Sequence, residues 1–336
     1  MGQVAFVLSH EQFPPPKLLE LASKAEAAGF DRVWTSDHFH PWMDNQGHSS
    51  QAWITLAALS QRTRLPFGTG VTCPTYRYHP AVVAQAFASL ATLAPGRVFL
   101  GVGTGEAINE QATTGQWGRY RERAERLVEA IELIRRLWSG EWTQHEGRYY
   151  TVPAARLYDP PPEPIPLYVA AEGPRSMRLA GEHGDGLITD AQRAVMPQMR
   201  EAFEEGARAA GKDPGQPILA EAFCVVGGEH ERRESIEAWR FLPHAWDRFV
   251  DEPDPRRIAD AARSLPEDEV AKGWTVSEEP EEHIAAISRL FEQGVSEVYV
   301  HSGQRDQDRF IDFYGTQVIP ELKRAVGSVE GVGVGG

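Results

Sequence analysis

Short apolar runs alternate with longer amphipathic ones along this chain, and the alternation recurs often enough to restrict the fold to a sheet flanked by helices. Runs at 4–8, 32–35, 65–71, 98–102, 167–171, 186–189, 218–226 and 297–301 have the length and composition of buried strands. Stretches at 18–28, 52–61, 80–93, 120–138, 176–182, 196–210 and 280–293 carry the helical period between them. Strands separated by helices need crossover connections, and therefore pair in parallel. Eight units favour closure over an open doubly wound sheet, so the expected fold class is α/β, a (β/α)8 TIM barrel.

Two segments interrupt the pattern. WTQHEGRYYTV reads as a hairpin with Glu146 and Gly147 at its turn, and DPPPEPIP as a stiff connector. Together they form an expected insertion at about 140–165, after the fourth strand. A charged, helix-textured excursion at about 229–274 follows the seventh. A single barrel domain is expected over 1–326, with a flexible glycine-rich tail, GSVEGVGVGG, at 327–336.

Charge and cysteine usage exclude several partners. Lys and Arg total 34 against 48 Asp and Glu, a formal charge of 34 − 48 = −14, which disfavours nucleic acid. Cys73 and Cys224 lack metal-site spacing, and no His/Asp pattern compels a metal. No signal-type leader and no run near the roughly 18 apolar residues of a membrane helix is visible, so a cytoplasmic protein with no membrane partner is expected.

In such a barrel the active site lies at the carboxyl ends of the strands. The residues there are Ser9, His10 and Glu11; Ser36, Asp37 and His38; Val71, Thr72 and Cys73; 103–106; Glu172 and Gly173; Thr189 and Asp190; and His301. In TSDHFHPW, Asp37 precedes His38, and a carboxylate beside an imidazole can orient it as a base for a hydroxyl proton; the alternative is a histidine that caps a loop. GVGTGEAINE is a glycine-rich turn entering a helix, with Glu106 facing a ligand, or a tight turn with none. Its spacing is not a dinucleotide fingerprint, and no Walker lysine is present. A non-proline cis bond at Gly70–Val71 is plausible before Pro74. The helix opened by residues 173–175 is a seat for a cofactor phosphate.

These segments, with PTYRYHPAVVAQAFA, LWSGEW, YVAAEGP, GDGLIT and AKGW, resemble the coenzyme F420-dependent glucose-6-phosphate dehydrogenase family of the luciferase-like superfamily. The resemblance spans nearly the whole chain. It implies a barrel, commonly homodimeric, that binds the deazaflavin F420 and moves a hydride between it and a hydroxyl-bearing small molecule, such as a sugar or sugar derivative. By matching positions, His38 handles the hydroxyl proton, Glu106 is the acid near the ring, Trp42 is a stabilising wall and Glu11 a carboxylate near the substrate. Asp37, Gly70, Val71, Cys73, Thr104, Gly105, Asn109, Gly173, Arg175 and Ser176 would line the cofactor, with a cis Gly70–Val71 peptide. Glu172 stands near the cofactor tail where the family carries glycine. The phosphate contacts of the family, two lysines and an arginine, fall here on Arg193, on Arg248 or Phe249, and on Gly273, while Asp190 replaces a threonine. Repulsion between Asp190 and a dianion disfavours hexose 6-phosphate. Alternatives are an F420H2-dependent reductase of an alkene, imine or ketone, an FMN-dependent monooxygenase, and a cofactor carrier without turnover.

Overall fold

A computed structural model describes residues 2–330. Its strands are β1 (Gln3–Leu8), β2 (Arg32–Thr35), β3 (Phe67–Thr69), β4 (Val98–Val102), β5 (Thr143–Glu146), β6 (Thr151–Ala155), β7 (Leu167–Ala170), β8 (Leu187–Asp190), β9 (Ile218–Val226), β10 (Thr275–Ser277) and β11 (Glu297–His301). Eight of them pair in parallel in the order β9-β11-β1-β2-β3-β4-β7-β8, and β8 pairs back onto β9, which closes the barrel. The expected TIM barrel is the observed fold.

Residues alternate across each strand because the side-chain period is two. On β1, Val4, Phe6 and Leu8 point outward into the core shared with the helices, whereas Ala5 and Val7 point into the barrel. Phe99, Tyr168, Ile188 and Leu219 fill the interior beside Trp34 and Tyr299, whose rings stack at 3.6 Å. The interior is therefore a packed plug, and a ligand can enter only above it. Helices begin where proline supplies a preset φ and needs no N–H partner: Pro15–Ala27, Pro80–Leu93, Pro174–His183, Pro197–Ala209 and Pro280–Glu292 all do so.

β5 and β6 form the antiparallel hairpin at the first interruption. The second contains helices Glu229–Trp239, Pro255–Ala262 and Glu267–Val270. They have their own apolar core of Ile236, Trp239, Phe241, Phe249, Ile258 and Leu265, joined by Trp42 and Met43 from the loop after β2. The excursion is thereby fastened over the mouth of the barrel.

Three features differ from the sequence expectation. β10, three residues long, pairs with the outer half of β9 and is too short to stand out as a pattern. Helices Gln307–Phe313 and Ile319–Glu330 supply the eighth crossover layer. The second of these includes residues 327–330, expected in the flexible tail; their neighbours 331–336 lie outside the described residues. Trp34→Ala, which removes half of the stacked plug, is expected to cost about 3–5 kcal/mol, read as a lowered unfolding midpoint in a denaturant titration.

Candidate active site at the carboxyl ends of the strands

The strand ends and the excursion enclose a cavity of about 440 Å³, within the range of small-molecule sites. Its floor is apolar: Val7, Trp34, Val71, Ala170 and Ile188. Gly70 belongs to that floor, and a Cβ there would come 2.8 Å from the Trp34 ring. The Gly70–Val71 peptide is cis. The far wall is aromatic. Trp42 stacks on Phe241 at 4.6 Å and meets Trp246 edge-on at 5.8 Å, and Phe223 stacks on Trp274 at 5.1 Å.

His38 and Glu106 line this one cavity, with Glu11 and Trp42. The His38 Nδ1 lies 3.2 Å from the His40 carbonyl, which can only accept, so Nδ1 carries a proton and Nε2 is the nitrogen of the neutral ring that is free to accept one. Nε2 is 4.0 Å from Oε1 of Glu11. Burial alone would raise the Glu11 pKa, but His38, the Ser36 hydroxyl, a backbone N–H and His301 together hold it below its ordinary value. A charged Glu11 thus faces the imidazole.

The sequence assigned that orienting role to Asp37, and the structure corrects it. Adjacent residues leaving a strand point to opposite sides. The Asp37 carboxylate faces away from His38 and accepts from Thr72 Oγ1 at 2.7 Å, Arg77 at 3.2 Å and Tyr78 at 3.3 Å. It anchors the loop after β3 to the loop after β2.

Asn109 joins the two halves of the site. Its Oδ1 accepts from the backbone N–H of Phe39 at 2.8 Å and of His40 at 3.4 Å, while its Nδ2 donates to Oε2 of Glu106 at 3.0 Å. One buried amide therefore sets the His38 loop against the Glu106 carboxylate. Behind it, Gly105 has φ of +87°, and a Cβ there would meet Glu110 at 2.8 Å. Glu110 accepts from the backbone N–H groups of Tyr76 and Arg77, at 3.1 and 2.6 Å, so it ties the β3 and β4 loops together. Burial pushes its pKa up to about 7, against those hydrogen bonds and Arg77.

The other cofactor candidates divide. Gly70, Val71 and Glu172 are in the cavity wall. Cys73, Gly105 and Asn109 are buried behind it, and Thr104 is half-buried beside them. The N–H groups of Glu172 and Gly173 are taken by the Ser176 hydroxyl, at 3.1 and 3.0 Å, which fixes the loop entering the helix expected to seat a phosphate, while no side chain caps the first-turn N–H groups of that helix. Arg175 is exposed and lines a separate surface cleft with Tyr120, Arg148 and Tyr149.

On the substrate side, Arg193 is paired with Asp190 and, at 3.0 Å, with Glu172. Burial and then the charge of Asp190 raise the Glu172 pKa well above its ordinary value, with Arg193 opposing. Gly273 lines the cavity, Phe249 is packed in the excursion core, and Arg248 is not in the wall. Lys272, Glu221, Glu269 and the aromatic residues of the excursion are wall residues that the sequence did not single out. Only Glu221, a lone charge in the apolar run ILAEAFCVV, carried a visible signal.

A closed barrel whose packed interior leaves a strand-end cavity lined by an imidazole and carboxylates has the layout of an acid–base enzyme site of this fold. The chain belongs to the luciferase-like monooxygenase family, whose model matches residues 3–297. It is 50% identical to the F420-dependent hydroxymycolic acid dehydrogenase of Mycobacterium tuberculosis over 322 residues, 95% of this chain and 88% of that one. It is 38% identical to the F420-dependent glucose-6-phosphate dehydrogenase of Nakamurella multipartita, covering 95% and 96% of the two chains. Among solved structures, an F420-dependent secondary alcohol dehydrogenase in complex with an F420-acetone adduct is similar with a TM-score of 0.90 at 34% identity, over 96% of this chain and 99% of that one.

Two outcomes follow from the loop anchors. Asn109→Ala leaves the Glu106 carboxylate and two loop N–H groups without their partner, and is expected to lower stability by about 1–3 kcal/mol, measured by denaturant unfolding. Glu110 binds its proton more tightly folded than unfolded, so wild-type stability should fall as pH rises from the ordinary carboxylate range through about 7. Glu110→Gln should flatten that slope in melting temperatures taken from pH 5 to 8.

Proposed function

We propose that this protein is a coenzyme F420-dependent dehydrogenase acting on an uncharged hydroxyl compound. The observation that carries the proposal is the convergence of a bare, Glu11-faced imidazole nitrogen and the Glu106 carboxylate on one cavity with a flat apolar floor. A planar tricyclic ring fits such a floor, where Gly70 removes the side chain that would otherwise press on Trp34. Val7, Trp34, Val71, Ala170 and Ile188 would hold its face, with Glu106 at its edge. When bound, oxidised F420 supplies a two-electron hydride acceptor.

The chain's own residues do the rest. His38 takes the substrate hydroxyl proton on Nε2, and the imidazolium so formed is stabilised by Glu11 across 4.0 Å. Glu106, fixed by Asn109 through Oε2, keeps its second oxygen for the ligand. Trp42, Phe241 and Trp246 exclude water and pack against the C–H surface of the substrate. Asp190, Glu221 and Glu269 outnumber Arg193 and Lys272 on the substrate side, and Arg193 is already occupied by Asp190 and Glu172. A phosphorylated substrate meets repulsion there.

The same reading includes a cytoplasmic homodimer. Two free, buried cysteines are consistent with a reducing compartment. No helix among the described residues is long and apolar enough to cross a membrane.

With oxidised F420 and an uncharged alcohol, His38→Ala should cut kcat by about 10²–10⁴-fold while leaving cofactor affinity within about twofold, followed by cofactor bleaching and by fluorescence titration. Failure of the wild type to bleach the cofactor with any alcohol would overturn the proposal. For an alcohol and its phosphate ester, kcat/KM should favour the free alcohol by at least about tenfold.

A further inference from the structure

A second imidazole lies in the same cavity wall, and beyond helping to keep Glu11 charged it has no part in the chemistry above. His301 ends β11, and its ring is packed between Phe223 at 4.5 Å and Trp239 at 4.4 Å. Its Nδ1 lies 2.5 Å from Oε1 of Glu221, which projects from the neighbouring strand β9. A carboxylate accepts, so Nδ1 carries the proton. The other nitrogen, Nε2, is buried and has no hydrogen-bond partner among the described residues. The whole residue is 2% exposed.

A buried polar atom without a partner costs free energy unless a ligand or ordered water satisfies it. The ring is otherwise fully determined: its tautomer is set by Glu221 and its plane by two aromatic neighbours. Such fixing of a group whose remaining atom is unsatisfied is what a binding contact requires.

The chemistry of the partner follows from the ring. A neutral imidazole with Nδ1 protonated offers an acceptor at Nε2, and a protonated one offers a donor. A hydroxyl is an uncharged group that pairs with either, and it is the group the reaction itself already requires of the substrate. An anionic group is opposed by Glu11, Asp190, Glu221 and Glu269 in the same wall.

We propose that His301, positioned by Glu221, is a specificity residue that binds a second hydroxyl of the substrate, so that the enzyme prefers diols or polyols to the matched mono-alcohols. His38 handles the reacting hydroxyl and His301 holds the other. This inference rests on the dehydrogenase reading of the site.

The test is steady-state oxidation, with F420 as acceptor, of butan-2-ol beside a series of diols whose second hydroxyl is placed one to four carbons from the first. In the wild type at least one diol should show a KM about tenfold below its mono-alcohol, the equivalent of 1.4 kcal/mol. His301→Phe keeps the ring packing and should raise that KM to the mono-alcohol value. Its KM for butan-2-ol should stay within about twofold of wild type. His301→Gln, which retains a hydrogen-bonding side chain, should recover part of the preference. The inference is overturned if the wild type oxidises butan-2-ol but prefers no diol, or if His301→Phe weakens both substrates equally. Wild-type protein that reduces F420 with none of these alcohols would overturn the dehydrogenase reading, and this inference with it.

Discussion

Closure of the sheet, with β11 against β1 and β8 against β9, is the constraint on which the site depends. It brings Glu11 after β1, His38 after β2, Glu106 after β4 and His301 at the end of β11 around one mouth, although they are spread over most of the chain. Without the β1–β11 pairing the first and last of these would lie at opposite edges of the sheet. The interior below is filled by the Trp34–Tyr299 stack and its neighbours, so closure makes a floor and not a pore.

Above that floor the site has two electrical halves. On one side an imidazole and two carboxylates are held by hydrogen bonds from the loops, and Asn109 fixes the separation of His38 and Glu106 by bonding to both loops. On the other, Glu172, Asp190 and Arg193 neutralise one another while Glu221 holds His301. The first half suits proton transfer and the second suits selection among uncharged substrates. The aromatic wall from the excursion raises the strength of both by keeping water out.

The alternation of strand and helix was legible because it is local and repeated. Helices Pro80–Leu93 and Tyr120–Trp138 have the bounds expected from the sequence, the first because proline marks its start. The strand-end rule then placed Glu11, His38, Glu106 and His301 among the candidates without any contact information. What could not be read was pairing. Asp37 beside His38 in sequence suggested a dyad, yet the strand period turns them apart and delivers Glu11 instead, 27 residues earlier in the chain. Trp42 was expected as a wall, but its partners Phe241 and Trp246 were invisible for the same reason, since the stacking joins residues about 200 positions apart, as long-range packing allows.

The most direct measurement is the fate of hydrogen on the carbinol carbon. A secondary alcohol deuterated at that carbon is incubated with the protein and oxidised F420, and the reduced cofactor is weighed by mass spectrometry. Direct hydride transfer within the closed cavity places a single deuterium on the cofactor. A reduced cofactor carrying only solvent hydrogen would contradict it.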